Sequence, residues 1–292
     1  MGQCWIALRS RTLIHISRTS SHLNTIPSGR STPYPSAQRA QNPTHNRVRL
    51  YISHTRTPHR IYHSISPSLT TKVLNEARSL PASLIIAYHP PLFKPLSSLT
   101  LSNPLQFSLL QCAAAGISVY SPHTALDSVY GGINDWLAEG LGKGTSSLLG
   151  DDQEGIGGSG RLLRLDQEVS LIELQDRIKK YLGLQHLQVA TSSDRKVQRI
   201  AICAGSGGSM LLGVDADVYF TGEMSHHEVL AAVAANRNVI LCGHTNTERG
   251  YLPVLASKLQ RQFAQAQGDE LDLAKQLSVH VSTEDRHPLD IV

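Results

Sequence analysis

From about Arg60 onward, short apolar runs alternate with longer amphipathic stretches, and this alternation constrains the fold more than any other feature of the sequence. Parallel strands must be joined by crossovers, usually helical, so the pattern predicts βαβ units and a largely parallel sheet. The runs RIYHSIS, SLIIAYHP and ISVYSPH predict strands. Between them, SLTTKVLNEARSL, capped by Ser68, and LQFSLLQCAAAG predict helices. After a helix near INDWLAEGLG comes the loop-forming stretch GDDQEGIGGSG, and this loop at 150–160 is expected to divide two α/β halves. The second half offers strands at LQVAT, VQRIAICAG, DVYFTGE and NVILCGH, with a closing strand at QLSVHVS. Its helices are expected at LIELQDRIKKYLG, SMLLG and HHEVLAAVAAN, then as one long helix through TERGYLPVLASKLQRQFAQAQ.

The overall charge of +4 conceals two different segments. Residues 1–66 contain nine Arg, no Lys and no acidic residue, whereas residues 67–292 hold 18 basic and all 23 acidic side chains, a net of −5. The excess positive charge lies outside the expected folded part, so no direct nucleic-acid binding is expected of the domain. Residues 1–59 read as a basic extension. Trp5, Ile6, Leu8, Leu13, Ile14 and Ile16, set among Arg9, Arg11 and Arg18, can form a weakly amphipathic helix of transit-peptide type. The alternatives are a disordered extension or a reading frame that does not belong to the mature protein. Residues 60–292 form the expected folded domain, and the 40% apolar composition of the whole chain is enough for a core. Cytoplasm is the default location and mitochondria the alternative.

No run approaches the roughly 18 apolar residues of a membrane-spanning helix, so no membrane partner is expected. Cys4, Cys112, Cys203 and Cys242 lie far apart with no C-x-x-C pair, which removes a disulfide framework and a structural zinc knuckle. The strand positions of Cys203 and Cys242 mark them as reduced core residues rather than nucleophiles.

Open α/β sheets bind ligands beyond the carboxyl ends of their strands. Four expected strands end in histidine, at His89, His123, His226 with His227, and His244. The remaining histidines after residue 66, His186, His280 and His287, lie elsewhere. His123 and His244 each carry a carboxylate four residues on, Asp127 in HTALD and Glu248 in HTNTE. On a strand-to-helix turn, such a pair can face one cleft. Imidazole nitrogen with carboxylate oxygen is a ligand set for zinc, manganese or non-heme iron. Either pair alone reads as a surface ion pair or helix cap, but both pairs with His89 suit a dinuclear centre of two divalent metal ions.

The blocks AYHPPLFKPLSSLT, VYSPHTALDSVYGGINDWLAEGLG, AICAGSGGSML, DVYFTGEMSHHEVL and CGHTNTERGYLPVL resemble the signature blocks of the NGG-interacting factor three-like family. Members of that family are dinuclear metal-centre proteins, some labelled GTP cyclohydrolase type 2 homologs. The resemblance spans roughly residues 60–292. It implies a two-part mixed α/β fold with the metal site between the halves, and a toroidal homo-oligomer. It also implies metal ligands at His89, Asp127, His244 and Glu248, with His123 as a direct ligand or a support for one. Tyr88 departs from the pattern, standing where bacterial members have the first His of an HHP block. A phenol is a poor metal ligand, although it can donate a hydrogen bond. The family's opening helix and strand, with their Trp-Asp-Asn segment, have no counterpart in residues 1–59.

Other features carry less weight. CAGSGGS could present backbone N–H groups to a phosphate, or simply make a tight connection. Ser225 is expected to cap a helix that opens with His226 and His227. Glu223 and His226 are catalytic candidates, as proton carriers or orienters beside the metals, and Arg249 could meet an anionic substrate. No G-x-x-x-x-G-K-[ST] or G-x-S-x-G motif is present, which disfavours P-loop hydrolysis and serine-esterase chemistry. Two functions remain. One is metal-dependent hydrolysis of a nucleotide-like or phosphate-bearing small molecule, resembling GTP cyclohydrolase chemistry. The other is a non-catalytic role in metal handling or in regulation through a protein partner.

Overall fold

The computed structural model describes residues 61–80, 82–150, 157–268 and 271–289, and the expected basic extension at 1–59 lies outside them. The predicted βαβ alternation opens the described chain as β1 (Ile61–Ser66), α1 (Thr71–Ser79), β2 (Ala82–Ala87), α2 (Pro104–Ala115) and β3 (Ser118–Tyr120). Local chemistry fixes the helix starts. The Thr70 side chain accepts from Val73 N at 3.2 Å, so Thr70, not Ser68, caps α1. Asn103 Oδ1 accepts from Leu105 N and Gln106 N ahead of α2, whose Pro104 needs no donor in the first turn.

After β3 come α3 (Thr124–Ser128), α4 (Ile133–Glu139), β4 (Gly144–Leu149), β5 (Gly160–Val169) and α5 (Leu171–Leu182). They are followed by β6 (Gln188–Ala190), β7 (Val197–Ser206), α6 (Gly208–Leu211), β8 (Val218–Glu223), α7 (His226–Ala234) and β9 (Asn238–Leu241). Two 3-10 turns, His244–Thr247 and Arg249–Tyr251, precede α8 (Leu252–Ala264), α9 (Leu271–Ala274) and β10 (Leu277–Val281). The long helix expected from Thr247 therefore begins only at Leu252. Pro253 is tolerated in a first turn but not inside a helix, and the chain ahead of it is diverted so that Glu248 can turn inward.

Two sheets result. The first runs β10-β1-β2-β3 and is parallel throughout; the second runs β4-β5-β7-β8-β9-β6 and is mixed. β4 and β5 are additional to the expected strands. These strands pair antiparallel, with Gly144 opposite Leu165 and Leu149 opposite Gly160. The stretch 150–160, expected to divide the halves, thus has ends that belong to one sheet. An antiparallel pair needs no crossover helix, so nothing in the βαβ alternation announces it. The halves are also not consecutive in sequence, because β10 returns to lie beside β1.

Period-two alternation divides the second sheet between two cores. Ile200, Ile202 and Ala204 of β7, with Val218 and Phe220 of β8, enter the larger core beneath α4 and α5. Their neighbours Ala201, Cys203 and Tyr219 enter a smaller core against α6 and α7. The first sheet has its own cluster around Leu74, Ile85, Leu109 and Cys112. Tyr88, just past β2 of the first sheet, is buried in the large core of the second. Cys112, Cys203 and Cys242 are buried free thiols, and Cys4 lies outside the described residues. Among the described residues no helix is long and apolar enough to cross a membrane.

The turn connecting the sheets is held by buried polar side chains. The Arg161 guanidinium, 1% exposed, donates to the carbonyls of Gly158 (2.7 Å), Gly160 (2.9 Å), Ser128 and Val129 (both 3.2 Å), and it pairs with Asp135. Asn134 donates to the carbonyls of Asp127 (3.1 Å) and Ser159 (3.0 Å), while its oxygen accepts from Ala204 N at 2.8 Å. Arg161→Ala would leave these groups without a donor in a buried position. It is expected to lower stability by about 3–5 kcal/mol in urea unfolding, and a loss within about 0.5 kcal/mol would show that the network is dispensable.

Candidate metal centre

The carboxyl ends of β2, β3, β8 and β9 gather the residues singled out in the sequence. His89 lies two residues past β2, and its backbone N–H donates to Pro67 O at 2.8 Å. His244 opens the 3-10 turn after β9, and Glu248 follows that turn. Thr247, fully buried, braces the turn: its hydroxyl donates to His244 O at 2.6 Å and accepts from Gly205 N at 2.8 Å. Gly205, with φ of 65°, forms the floor. A Cβ there would stand 3.0 Å from both Glu248 Oε1 and His244 Nε2.

One ligand atom from each of His89, His244 and Glu248 falls within 4.8 Å of the others. His89 Nε2 is 3.2 Å from His244 Nε2 and 3.4 Å from Glu248 Oε2, and His244 Nε2 is 3.2 Å from Glu248 Oε1. The far nitrogens are engaged as well. His89 Nδ1 meets Ser68 Oγ at 3.1 Å, and His244 Nδ1 meets Glu223 Oε1 at 2.8 Å. With Nδ1–H donating outward on each ring, both Nε2 lone pairs and the buried carboxylate aim at one point. Glu248 Oε2 is within ion-pair reach of His89, yet it is buried without a hydrogen bond of sound geometry. Three converging lone-pair donors with outward-held imidazoles fit a divalent cation.

Electrostatics agree with that geometry. Hydrogen bonding to Glu248 opposes the effect of burial and raises His244 to about 9, with help from Glu223. Burial works against charge on Glu248, but His244 and His89 outweigh it and hold the carboxyl below its ordinary value.

A family model described as Duf34/NIF3 (NGG1p interacting factor 3) matches residues 39–276. The chain belongs to the NIF3 family. It is similar to the NIF3 homolog of Schizosaccharomyces pombe, 48% identical over 206 residues that cover 67% of this chain and 74% of that protein. NGG1-interacting factor 3 of Saccharomyces cerevisiae is 34% identical over 227 residues, covering 72% of this chain and 77% of that one. A Bacillus cereus protein related to NIF3 shares the fold, with a TM-score of 0.69 at 20% identity over 80% of this chain and 90% of its own. The match to the NIF3 model begins at residue 39, upstream of the boundary expected at residue 60.

The other residues singled out in the sequence make contacts of their own. Asp127, on α3, has both carboxylate oxygens in contact with Tyr88 Oη, at 2.7 and 2.8 Å. Burial raises its carboxyl to about 7 despite that hydrogen bond, and the Tyr88 phenol is raised by burial and by the Asp127 charge. The His123 ring lies 6.0 Å from that of His89 and packs edge-on against Phe93; burial lowers its pKa. His226 packs against His227 at the first turn of α7, where Ser225 forms the expected cap. Arg249 does not face outward to an anion; it is paired with Asp285 at 2.5 Å. The Gly-rich turn is a tight connection, since a Cβ on Gly208 would sit 2.2 Å from the Glu228 carboxylate. Cys203 and Cys242 are uncharged, as burial pushes both thiols up to about 12.

Two contributors went unnoticed in the sequence. Ser68 looks like a helix cap but orients His89, and His287, away from any strand end, meets Thr245 Oγ1 at 2.8 Å. A serine that reads as a helix cap carries no signal for this role. Ser68→Ala and Glu223→Gln should each weaken Zn2+ affinity by about 10–100-fold in chelator competition. Because a cation must displace the proton that His244 holds up to about 9, affinity should rise with pH toward that value. Unchanged affinities in both variants and a flat pH profile would remove this account of the outward contacts.

Proposed function

We propose that this protein binds a divalent metal and uses it to hydrolyse a phosphate-bearing, nucleotide-like small molecule. The observation that carries the reading is the His89, His244 and Glu248 set, two imidazoles and one carboxylate converging within 4.8 Å. This is a ligand number and type found in hydrolytic metal sites, which keep a coordination position for water or substrate. A divalent ion supplies Lewis acidity there, activating water and polarising an electrophilic centre. In this reading Glu223, exposed and hydrogen-bonded to His244, would accept a proton at the rim, and Ser68 and Glu223 would keep both imidazoles in the ligating orientation. Zinc, iron and manganese all suit this donor set. Homo-oligomerisation belongs to the same proposal, as does a cytoplasmic or mitochondrial location.

A non-catalytic role is the second reading. It is favoured by the Saccharomyces cerevisiae relative's name, NGG1-interacting factor 3, and by exposed apolar side chains at Phe93, Leu96, Leu101 and Leu105 that a protein partner could cover. A panel of nucleotides and phosphoesters separates the two. Hydrolysis predicts turnover that chelation abolishes, metal restores, and Glu248→Ala reduces by at least about 100-fold while circular dichroism stays unchanged. Absence of metal-dependent turnover across the panel would leave the binding role.

A further inference from the structure

The two acid–imidazole pairs anticipated as equal halves of a dinuclear centre are treated unequally by the structure. The His244 and Glu248 pair, with His89, points its ligand atoms at a common centre. The His123 and Asp127 pair does not. Both Asp127 oxygens are engaged by one phenol, Tyr88 Oη, at 2.7 and 2.8 Å. Tyr88 is 3% exposed and Asp127 8%, so this contact is made away from solvent.

The backbone on both sides of this contact is tied down. The Asp127 carbonyl is held by Asn134 Nδ2 at 3.1 Å, and the ends of Tyr88 are fixed by backbone bonds to Ser66 O (2.9 Å) and from His123 N (3.1 Å). A cation gripped by both Asp127 oxygens would need the volume that the phenolic oxygen fills. A neutral phenol donates a hydrogen bond well but binds metals poorly, so Tyr88 cannot replace the ligand that it displaces.

We propose that this protein holds a single divalent ion, at His89, His244 and Glu248, and that the Tyr88 hydroxyl occupies the Asp127 carboxylate in place of a second. This rests on the metal-binding reading above. Tyr88 is then a positioning residue that closes one half of the centre and clasps α3 to the end of β2.

Metal stoichiometry of the full chain tests this, by elemental analysis after saturation with Zn2+ and dialysis, and by Co2+ titration followed in visible absorption. The wild type should take up about one equivalent, and His244→Ala none. Tyr88→His frees Asp127 and adds an imidazole, so it should take up about two equivalents, and Tyr88→Phe, which only removes the hydroxyl, a second and weaker one. Adding Asp127→Ala to Tyr88→His should return the count to about one. Two equivalents in the wild type would overturn the single-ion proposal and leave metal binding intact. None in the wild type would overturn metal binding itself. A count that stays at one in folded Tyr88→His and Tyr88→Phe would show that the phenol is not what excludes the second ion.

Discussion

Three electron-rich atoms held within 4.8 Å of one another repel unless a proton or cation lies among them. Much of the surrounding structure serves to impose that arrangement. Gly205 must be glycine to make room for it, Thr247 pins the turn that carries His244 and Glu248, and Ser68 and Glu223 turn the two rings inward. When no cation is bound, the proton that Glu248 and Glu223 stabilise on His244 relieves the repulsion. The centre is thus built to hold positive charge of one kind or another.

Fold class was legible because hydrophobic periodicity reports burial directly. The parallel strands β1, β2, β3, β7, β8 and β9 are short apolar runs, most of them followed by helical stretches, and the sequence shows them as such. β4 and β5 escaped because GTSSLL is a polar, largely exposed edge strand and GRLLRLDQEV pairs without a crossover helix. The return of β10 to β1 was equally hidden, since sequence adjacency says nothing about which sheet a final strand joins. The centre was legible in part for the same reason. Strand-end histidines and i,i+4 acids mark residues that can reach a cleft, which located His89, His244 and Glu248. They do not reveal what already occupies a side chain, so the Tyr88 clasp on Asp127 and the Asp285 clasp on Arg249 emerge only in three dimensions.

Buried charge in this protein is used for positioning. Arg161 binds four carbonyls and Asp135 at the junction between α3, α4 and β5, an arrangement that a hydrophobic residue of similar size could exceed in stability but not in directional control. Asn134 adds three hydrogen bonds that fix Asp127, Ser159 and Ala204 relative to one another. Both residues lie outside the metal site, yet they set where α3 stands, and α3 carries the carboxylate that Tyr88 holds.

The centre draws on both sheets, and this decides what holds the halves in register. His89 comes from the first sheet, while His244, Glu248 and Glu223 come from the second, so ion binding adds its free energy to the contact between them. Two other clasps cross the same seam without any metal. Tyr88 beyond β2 enters the core of the second sheet and grips Asp127, and the segment after β10 sends Asp285 to Arg249 and His287 to Thr245. Glu76 secures the base of that segment, where four hydrogen bonds from Ser282, Thr283 and His280 hold its carboxyl at about 2 against the effect of burial. A small zinc domain lacks such independent clasps and unfolds when its ion is removed. Here two further clasps join the sheets without the ion, so metal binding adds to a contact that other residues already make.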